Sequence, residues 1–295
     1  MKYGIWRHEN ALGNSAEHTF GLARHLKRTG DNDAHIFVEK PFQKAFAMCI
    51  PGIKESDISF FKDLKKMNYA TPPWAGFDNP ELSDIYMPDA YPFENTYPAS
   101  WSSLSDGPDE TLIFPEDAYN NKHNLPEQAI VISIRESGTY AKRVDGAKSE
   151  PERFVDPLKF IALTLDYAEQ GHTVVRIGDR KQTPMPKANN ILDFALVDDR
   201  NMLDDLFLIS KSKVFLSCDA GIWPMAGGMK SNLILSNVMS AVEKPAIVDW
   251  LPPETSTVIY KRNEKLPPSD KNPKGGWRTW DNSFEQLRDA VDKYL

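Results

Sequence analysis

The chain has 295 residues, of which 41% are hydrophobic, so it is long enough for two medium-sized globular domains and too apolar for a disordered protein. Lys and Arg total 35 against 42 Asp and Glu, and the net charge of −7 disfavours a general nucleic-acid-binding protein, which needs dense positive charge. The two cysteines lie in different halves of the chain, and neither a signal-peptide pattern nor a long apolar run is present, so we expect a cytoplasmic protein without a transmembrane segment.

The first 40 residues have the pattern of a β–α–β unit. They predict a strand at residues 3–6, a helix at residues 15–29 with Ser15 as its N-cap and Gly30 after its end, and a second strand at residues 35–40. Because strands joined by a helix pair in parallel, this half of the chain is expected to begin a Rossmann-like sheet.

Two further helical patterns, at residues 42–49 and 56–67, come before a segment of different composition. Residues 70–126 interleave nine prolines with many aromatic residues, and so many prolines exclude long helices and central strands. We interpret the segment as an irregular covering layer that packs through its own aromatic side chains. The alternative is an acceptor platform, because aromatic rings stack on the apolar faces of sugars.

Strands and helices alternate again from Ala129 onwards. The predicted strands lie at residues 129–134, 173–178, 214–218 and 233–238. One predicted helix, which ends at Gly171, has a core-facing stripe formed by Leu158, Ile161, Leu165 and Ala168. Two more helices are predicted at residues 201–210 and 282–295, the last with Asn282 or Ser283 as its N-cap.

This order of elements predicts an α/β protein with two Rossmann-like domains that face a central cleft. We place the N-terminal domain at residues 1–126 and the C-terminal domain at residues 127–295, with residues 282–295 as a closing helix. The proline-rich and aromatic-rich segment then belongs to the N-terminal domain.

In doubly wound sheets, ligands bind beyond the carboxyl ends of the strands, and in the C-terminal domain those ends are polar. The residues that follow its predicted strands include Arg135, Glu136, Ser137, Gly138, Thr139 and Tyr140, then Arg176, Gly178 and Asp179, and then Asp219, Ala220 and Gly221. The guanidinium of Arg135 can hold two phosphate oxygens, and Ser137 and Thr139 can donate hydroxyl hydrogen bonds beside it. The sequence therefore predicts a phosphate site after the first strand of this domain.

Several of these residues also have a structural interpretation. Arg135 could instead form a salt bridge with Glu136 or Asp179. Arg176 lies inside an apolar pattern and fits a phosphate contact or a structural role equally. Asp219 would repel a diphosphate, so it fits a helix cap or an acceptor for a ribose hydroxyl better.

Other reaction classes lack their signatures in this sequence. It contains no Walker A motif, no GxGxxG after a strand, no GxSxG and no CxxC, which disfavours NTPase, dehydrogenase, esterase and thioredoxin-like activities. The histidines lack metal-ligand spacing, and the paired acids at residues 198–199 and 204–205 more naturally bound or solvate the helix that starts near Asn201. We therefore expect no metal dependence.

Three stretches of the C-terminal half follow one another in a recognisable order: VISIRESGTY, AEQGHTVVRIGD and ILDFALVDDRNMLDDLFLISKSKVFLSCDAG. Over residues 130–240 they resemble a bacterial family of predicted glycosyltransferases encoded with surface-polysaccharide genes, and more distantly the fucosyltransferase-like branch of the GT-B superfamily. The residues at matching places are Arg135, Ser137, Tyr140, Arg176, Gly178, Asp205 and Gly221. Two positions depart from the family pattern, with Glu136 as the acid after the arginine and Ala220 in place of a small hydroxyl residue.

The resemblance implies a GT-B fold and a metal-independent, inverting glycosyltransferase of hexosyl or fucosyl type. Its donor would be a nucleotide-diphosphate sugar, with a GDP-sugar favoured, and it would need no other cofactor. The C-terminal domain would bind the donor through Arg135, Ser137, Tyr140, Arg176, Asp205, Asp219 and Gly221. The N-terminal domain would bind the acceptor, which the resemblance places among surface or secreted polysaccharides.

The loop and helix after the first strand carry the candidates for the catalytic base and the acceptor loop, namely His8, Asn14, Glu17 and His18. Inverting sugar transfer needs a group that takes the proton of the acceptor hydroxyl. Glu17 and His18 are adjacent on a helix and cannot share one face, so at most one is catalytic, and we favour Glu17 over both His8 and His18. Alternatively, Glu17 is a favourable acid at the positive end of the helix dipole.

Three further hypotheses remain open from the sequence. On the same frame the protein could be a nucleotide-sugar epimerase, or a non-catalytic protein that binds nucleotide-sugars or glycans, for which Asp219 and Ala220 in place of the usual turn are the best support. The basic stretch at residues 261–278 is interpreted as a solvated, flexible loop, with a contact to the acceptor or to anionic lipid at a membrane surface as the alternative.

Overall fold

The structure is a computed structural model that describes residues 2–5, 12–30, 33–60, 85–86, 112–136, 154–218, 221–238, 251–266 and 276–295. The statements below concern these ranges. The side chains of Asn14, Glu17 and His18 are outside the description, although their backbone lies within a helix.

The N-terminal half forms a four-stranded parallel sheet in the order β3-β2-β1-β4. Its strands are β1 (Lys2–Ile5), β2 (His35–Val38), β3 (Ile58–Phe60) and β4 (Ile85–Tyr86). Helix α1 (Leu12–Thr29) connects β1 to β2, and α2 (Pro41–Ala47) follows β2. Gly30 ends α1 with a φ of 67°, a conformation that glycine adopts without strain, which confirms the predicted β–α–β opening.

Helix α1 begins three residues earlier than predicted, so Ser15 is not its N-cap. Ser15 is fully buried, its carbonyl accepts a hydrogen bond from Thr19 Oγ1 at 2.8 Å, and its hydroxyl accepts one from Gln43 Nε2 at 3.2 Å. The serine therefore joins α1 to α2. The extension also moves Glu17 and His18 out of the first helical turn, which contains Asn14 and no acid.

The helix predicted at residues 56–67 is wrong over the residues that the structure describes. A short 3-10 helix (Glu55–Asp57) leads directly into β3, which pairs in parallel with β2. A β-branched and an aromatic residue, Ile58 and Phe60, occupy this strand, and the sheet pairing outweighs the helical spacing of the sequence. Residues 61–67 lie outside the described ranges.

The C-terminal half forms a six-stranded parallel sheet in the order β10-β9-β8-β5-β6-β7. Its strands are β5 (Ile130–Ser133), β6 (Val174–Arg176), β7 (Ile191–Asp193), β8 (Val214–Ser217), β9 (Leu233–Val238) and β10 (Ser256–Tyr260). The helices of this half are α3 (Pro157–Glu169), α4 (Met202–Lys211), α5 (Trp223–Gly228) and α6 (Phe284–Asp292). All residues of β5 and β8 are buried, as predicted for central strands covered on both faces.

The N-caps of the later helices follow the sequence signals. Asn201 accepts hydrogen bonds from the amides of Leu203 and Asp204 at the start of α4, and Ser283 accepts one from Gln286 at the start of α6. The predicted stripe on α3 is wrong, because Leu158 is 66% exposed and Leu165 36% exposed. The buried face consists instead of Phe160, Leu163, Thr164 and Tyr167, which also follow a helical spacing and include the two aromatic rings of α3.

The stretch interpreted as a flexible loop contains a β-hairpin. Strand β11 (Arg262–Leu266) pairs antiparallel with β12 (Gly276–Trp280), and Arg262 stacks over the indole of Trp280 with its guanidinium carbon 5.0 Å from the ring centre. Cross-strand pairs of this kind stabilise hairpins. The interpretation as a solvated loop is therefore wrong for both strands, and residues 267–275 lie outside the described ranges.

Two hydrophobic cores lie on opposite faces of the six-stranded sheet. The first core includes residues of α4 and α5 together with residues of α1, α2 and β2, so it continues into the N-terminal half. The second core lies between the sheet and helices α3 and α6. Within the described ranges, no helix is both long enough and apolar enough to cross a membrane.

Candidate functional site

Each parallel sheet has one topological switch point, where the chain changes the side on which it adds strands. In the six-stranded sheet the switch point lies between β5 and β8, and in the four-stranded sheet it lies between β1 and β4. Loops at a switch point diverge to opposite faces of the sheet and leave a crevice beyond the carboxyl ends of the strands. These two places are therefore the first candidates for a ligand site.

The two switch points face each other across a contact between two glycines. Gly13, in the first turn of α1, follows β1, and Gly221 follows β8. A side chain on Gly221 would place its Cβ 2.6 Å from the Gly13 nitrogen and 3.1 Å from its Cα. Only glycine allows two backbones to approach so closely, so the sequence joins the two halves at the crevice itself.

A second contact, seven residues further along both segments, orients α1 relative to α5. A Cβ on Gly228, the last residue of α5, would lie 2.8 Å from Phe20 Cδ2 and 2.6 Å from Leu112 Cδ1. Since Gly13 meets Gly221 and Phe20 meets Gly228, the two segments run in the same direction. The start of α1 and the turn that precedes α5 therefore lie side by side at the crevice.

Arg135 lies at the switch point of the six-stranded sheet, immediately beyond β5, and its side chain is half-buried. Its amide donates a hydrogen bond to Cys218 Sγ at 2.8 Å, which ties the end of β5 to the end of β8. The guanidinium carbon lies 5.8 Å from the ring centre of Phe154, and the Arg135 carbonyl accepts a hydrogen bond from the amide of Val155 at 3.0 Å. Arg135 is thus anchored to the end of β8 and to the segment that leads into α3.

Glu136 and Asp179, the acids named above as alternative partners for Arg135, have contacts elsewhere. Glu136 is buried and accepts hydrogen bonds from the amide and the hydroxyl of Thr183, the latter at 2.8 Å. Asp179 is exposed and accepts one from the amide of Lys181 at 2.9 Å. Both acids therefore help to shape the loop that follows β6.

Arg176 is enclosed by the protein. Its side chain has no exposed surface, its Nε donates to Asp193 Oδ1 at 2.7 Å, and its Nη1 donates to Gln182 Oε1 at 3.3 Å. Gln182 Nε2 in turn donates to the carbonyl of Ile134 at 2.5 Å. Of the two interpretations, the contacts favour the structural one, because a buried guanidinium paired with a carboxylate has no face for a phosphate.

Asp205 is buried at the start of α4, where the sequence indicated a donor-binding or solvated acid. Burial raises its pKa to about 7, although the charge of Arg200, whose Nη1 lies 3.5 Å from Asp205 Oδ1, acts in the opposite direction and neighbouring Asp204 adds to the rise. Arg200 also donates a hydrogen bond to the carbonyl of Gly178. The pair therefore connects α4 to the loop after β6 beneath the crevice.

The sequence predicts that Asp204 and Asp205 bound or solvate the helix; Asp204 does bound it, whereas neither side chain is solvated. Asp204 is fully buried, accepts a hydrogen bond from Tyr119 OH at 2.9 Å, and closes a capping box with the amide of Asn201 at 2.7 Å. Tyr119 stacks on Phe207 with 4.9 Å between ring centres. The end of the proline-rich segment is thus fastened to α4, whereas residues 70–84 and 87–111 of that segment lie outside the described ranges.

The structure describes some of the predicted site residues and not others. His8, Ser137, Tyr140 and Asp219 lie outside the described ranges. Asn14 lies in the first turn of α1 beside Gly13, whereas Glu17 and His18 lie in the second turn. Within the described ranges, no group of three His, Cys, Asp or Glu side chains could hold a metal ion.

The sequence reasoning missed three residues that shape this edge of the sheet. Asp193 lies opposite Arg176 in the β6–β7 register, and a polar residue at the end of each apolar strand was the signal for this pair. The sequence around Phe154 and Lys261 gave no such signal, because it has the pattern of a loop. Their positions depend on how distant segments pack.

No protein-family model matches the sequence, and the comparison with curated proteins gives no match. Comparison with solved structures gives matches over the whole chain. The Escherichia coli ADP-heptose LPS heptosyltransferase II has a TM-score of 0.55 at 12% identity, with coverage of 99% of this chain and 98% of that chain. The E. coli heptosyltransferase WaaC with ADP has a TM-score of 0.53 at 9% identity, with 100% of both chains covered.

A third solved structure, the dodecameric iron-containing heptosyltransferase TibC in complex with ADP-D-β-D-heptose, has a TM-score of 0.50 at 10% identity. The match covers 99% of this chain and 75% of that chain. At these identities the similarity establishes the fold. The chain has the α/β GT-B fold, which confirms the predicted fold class.

Proposed function

We propose that the protein is a glycosyltransferase that moves a sugar from a nucleotide-diphosphate donor to a hydroxyl group of a glycan or related acceptor. The observation that carries this proposal is the placement of Arg135 at a switch point that faces the other switch point across the Gly13–Gly221 contact. On a GT-B frame this crevice has one wall for each substrate. The donor would lie on the C-terminal wall and the acceptor on the N-terminal wall.

The role of Arg135 follows from the charge that develops during transfer. As the bond between the sugar and the diphosphate breaks, negative charge accumulates on the leaving phosphate oxygens. A fixed guanidinium beside those oxygens stabilises that charge more in the transition state than in the ground state. Because a planar guanidinium donates in parallel to two oxygens, arginine suits this position better than lysine.

The acceptor would lose its proton to a residue on the N-terminal wall. Glu17 remains our first choice over His8 and His18, and Asn14, in the first turn of α1, would contribute to the acceptor loop. With Glu17 in the second turn of α1, the alternative role as an acid at the helix N-terminus loses support, since that effect fades beyond the first turn. A base on the wall opposite the donor fits an inverting transfer without a metal ion.

The sequence and the solved structures favour different donor sugars. The sequence resemblance favours a GDP-sugar and a surface polysaccharide, whereas the solved structures of similar fold are named for ADP and ADP-heptose. A thermal-shift screen with ADP-, GDP-, UDP- and CMP-sugars separates these donors, because a ligand bound by the folded state raises the melting temperature.

The decisive experiment compares Arg135→Ala with Arg288→Ala. Arg288 lies on α6, on the far face of the sheet, and it is the matched control for removal of one guanidinium. We expect the wild-type protein and Arg288→Ala to give the same thermal shift with the donor, and Arg135→Ala to give little or none.

An Arg135→Ala variant that keeps the full thermal shift would overturn the proposed donor site. Donor turnover into a new sugar isomer without any acceptor would replace transfer with epimerisation, and donor binding without turnover would leave a binding protein. Loss of transfer in Glu17→Ala, with donor binding retained, is the result expected if Glu17 is the base.

A further inference from the structure

Lys261, between β10 and β11, is a buried cation that the proposed mechanism does not use. It is 3% exposed, and its Nζ lies 2.7 Å from the carbonyl oxygen of Phe154 and 2.8 Å from Asp281 Oδ1. Lysine is among the residues least often buried, because removing its charge from water is costly unless a partner compensates. A lysine kept in such a place is a candidate for a specific role.

The Lys261–Asp281 pair holds the short segment that leads into α3. Lys261 binds the carbonyl of Phe154, and Asp281 Oδ2 accepts a hydrogen bond from the amide of Asp156 at 2.7 Å. Between them, the amide of Val155 donates to the carbonyl of Arg135 at 3.0 Å. The backbones of three consecutive residues, 154–156, are thus each held by one hydrogen bond.

The side chain of Phe154 transmits this restraint to Arg135. Its ring centre lies 5.8 Å from the guanidinium carbon of Arg135, within the range of a cation–π contact. Lys261 therefore acts on the candidate phosphate site through one carbonyl and one aromatic ring. Lys261 can therefore affect the orientation of the Arg135 guanidinium without contacting a ligand.

A second buried polar pair keeps Asp281 in position. The amide of Asn237, near the end of β9, donates to Asn282 Oδ1 at 2.6 Å, and the amide of Asn282 donates back to Asn237 Oδ1 at 2.8 Å. Both asparagines are almost completely buried. The residue next to Asp281 is thus locked to the sheet, so the ion pair rests on a rigid base.

We propose that Lys261 is a positioning residue that orients Arg135 for the diphosphate of the donor. This inference rests on the proposed function, in which Arg135 binds that diphosphate. Buried ion pairs contribute little net stability compared with apolar replacements but can fix one arrangement of their surroundings. Such a role predicts a loss of ligand affinity in the folded protein, in addition to the loss of stability expected when one partner of a buried ion pair is removed.

The test measures ADP affinity by titration calorimetry, with GDP and UDP titrated in parallel. Lys261→Met keeps the length of the side chain and removes the charge, and we expect it to weaken binding by about tenfold. Lys261→Arg keeps a charged donor and is expected to retain more of the affinity. Tyr167→Phe removes a buried hydrogen bond on the far face and is the control for a purely structural loss.

A double-mutant cycle with Arg135→Ala decides whether Lys261 acts through Arg135. We expect Lys261→Met to have no further effect on ADP affinity once Arg135 is removed, because the two residues act in series. Equal losses in both backgrounds, or an unchanged affinity in Lys261→Met, would overturn the inference. If Lys261→Met does not fold, Asp281→Asn weakens the same ion pair and is expected to give the same pattern.

Failure of this inference is distinguishable from failure of the proposed function. If Arg135→Ala weakens ADP binding and Lys261→Met does not, only the positioning role is lost. If the wild-type protein binds none of the three nucleotides, or Arg135→Ala binds as the wild type does, the donor site itself is wrong and the role of Lys261 falls with it.

Discussion

The two faces of the six-stranded sheet carry cores of different kinds. Alternate residues of each central strand point to opposite faces: Val131 and Phe215 enter the first core, and Ile130 and Val214 enter the second. The first core is shared with helices α1 and α2 of the N-terminal half, and we call this the shared face. Within the described ranges, the second is covered by α3 and α6, and we call this the far face.

The difference between the faces shows how the crevice is built. On the shared face, α1 packs against α5 and α2 against α4, so one continuous core lies beneath both switch points. Any change there alters how the two walls of the crevice meet. Among the described residues, the second core contains none from the N-terminal half, so a change there, away from residues 154–156, is expected to lower stability and leave the crevice intact.

The largest expected effects come from Phe46→Ala on the shared face and Phe160→Ala on the far face. Both rings are fully buried, and removing either is expected to lower the free energy of unfolding by about 4 kcal/mol through lost burial and a residual cavity. Denaturant unfolding followed by circular dichroism measures this loss. At a temperature where both variants are folded, only Phe46→Ala is expected to weaken binding of whichever nucleotide, ADP, GDP or UDP, the wild-type protein binds.

The matched substitution makes this comparison strict, because the residue type, the burial and the expected loss of stability are the same. Equal affinities for that nucleotide in the two variants would contradict the assignment of the crevice to the shared face. Weaker binding in Phe160→Ala alone would reverse it.

The next effect concerns the pH dependence of stability on the shared face. Asp205 has a folded-state pKa of about 7, above the value of about 3.9 in an unfolded chain, so the folded protein binds the proton more tightly. This contribution to stability is fully present below about pH 4 and is lost as the pH rises to about 7. We expect the loss to be about 3 kcal/mol relative to Asp205→Asn, which cannot titrate.

The measurement is the free energy of unfolding of both proteins from pH 4 to pH 8, compared as a difference so that other titrating groups cancel. A difference that stays constant across this range would show that Asp205 does not hold a proton in the folded state. Glu285→Gln is a suitable control, because Glu285 is exposed and its pKa is lowered, first by its own backbone amide and then by Ser283.

Much of the fold was predictable from the sequence, because strand and helix signals were local. The apolar runs at β5, β8 and β9, the caps Asn201 and Ser283, and Gly30 all behaved as their chemistry indicates. The errors in the predicted fold arose where one sequence pattern was compatible with two local structures. On α3, apolar residues occupy more than one face, and packing against the sheet and α6 selects the face of Phe160 and Tyr167.

The candidate site was predictable only in part. Arg135 was indicated by its position directly after a buried apolar strand, because a charged side chain at that position suggests contact with a ligand. Arg176 looked similar in sequence, and its burial against Asp193 depends on the pairing of β6 with β7. Lys261 could not have been predicted, because its partners Phe154 and Asp281 are distant in sequence and each belongs to a connection between elements.

The smallest expected effect comes from Tyr167→Phe on the far face. The hydroxyl of Tyr167 donates to Asp292 Oδ1 at 2.7 Å and to the carbonyl of Arg288 at 3.1 Å, and burial of the phenol together with the nearby carboxylates raises its pKa. Removing the hydroxyl while keeping the ring is expected to cost about 1 kcal/mol of stability, as for one hydrogen bond. The melting temperature measures this loss.

The value of Tyr167→Phe lies in what it leaves unchanged. Since the hydroxyl fastens α6 to α3 and the described residues of the second core include none from the N-terminal half, ADP affinity is expected to equal that of the wild type. A change in affinity with so small a loss of stability would mean that α6 influences the crevice, most directly through Asn282 and Asp281 just before it. The two faces would then have to be treated as one coupled unit, and Phe160→Ala would be expected to weaken binding as well.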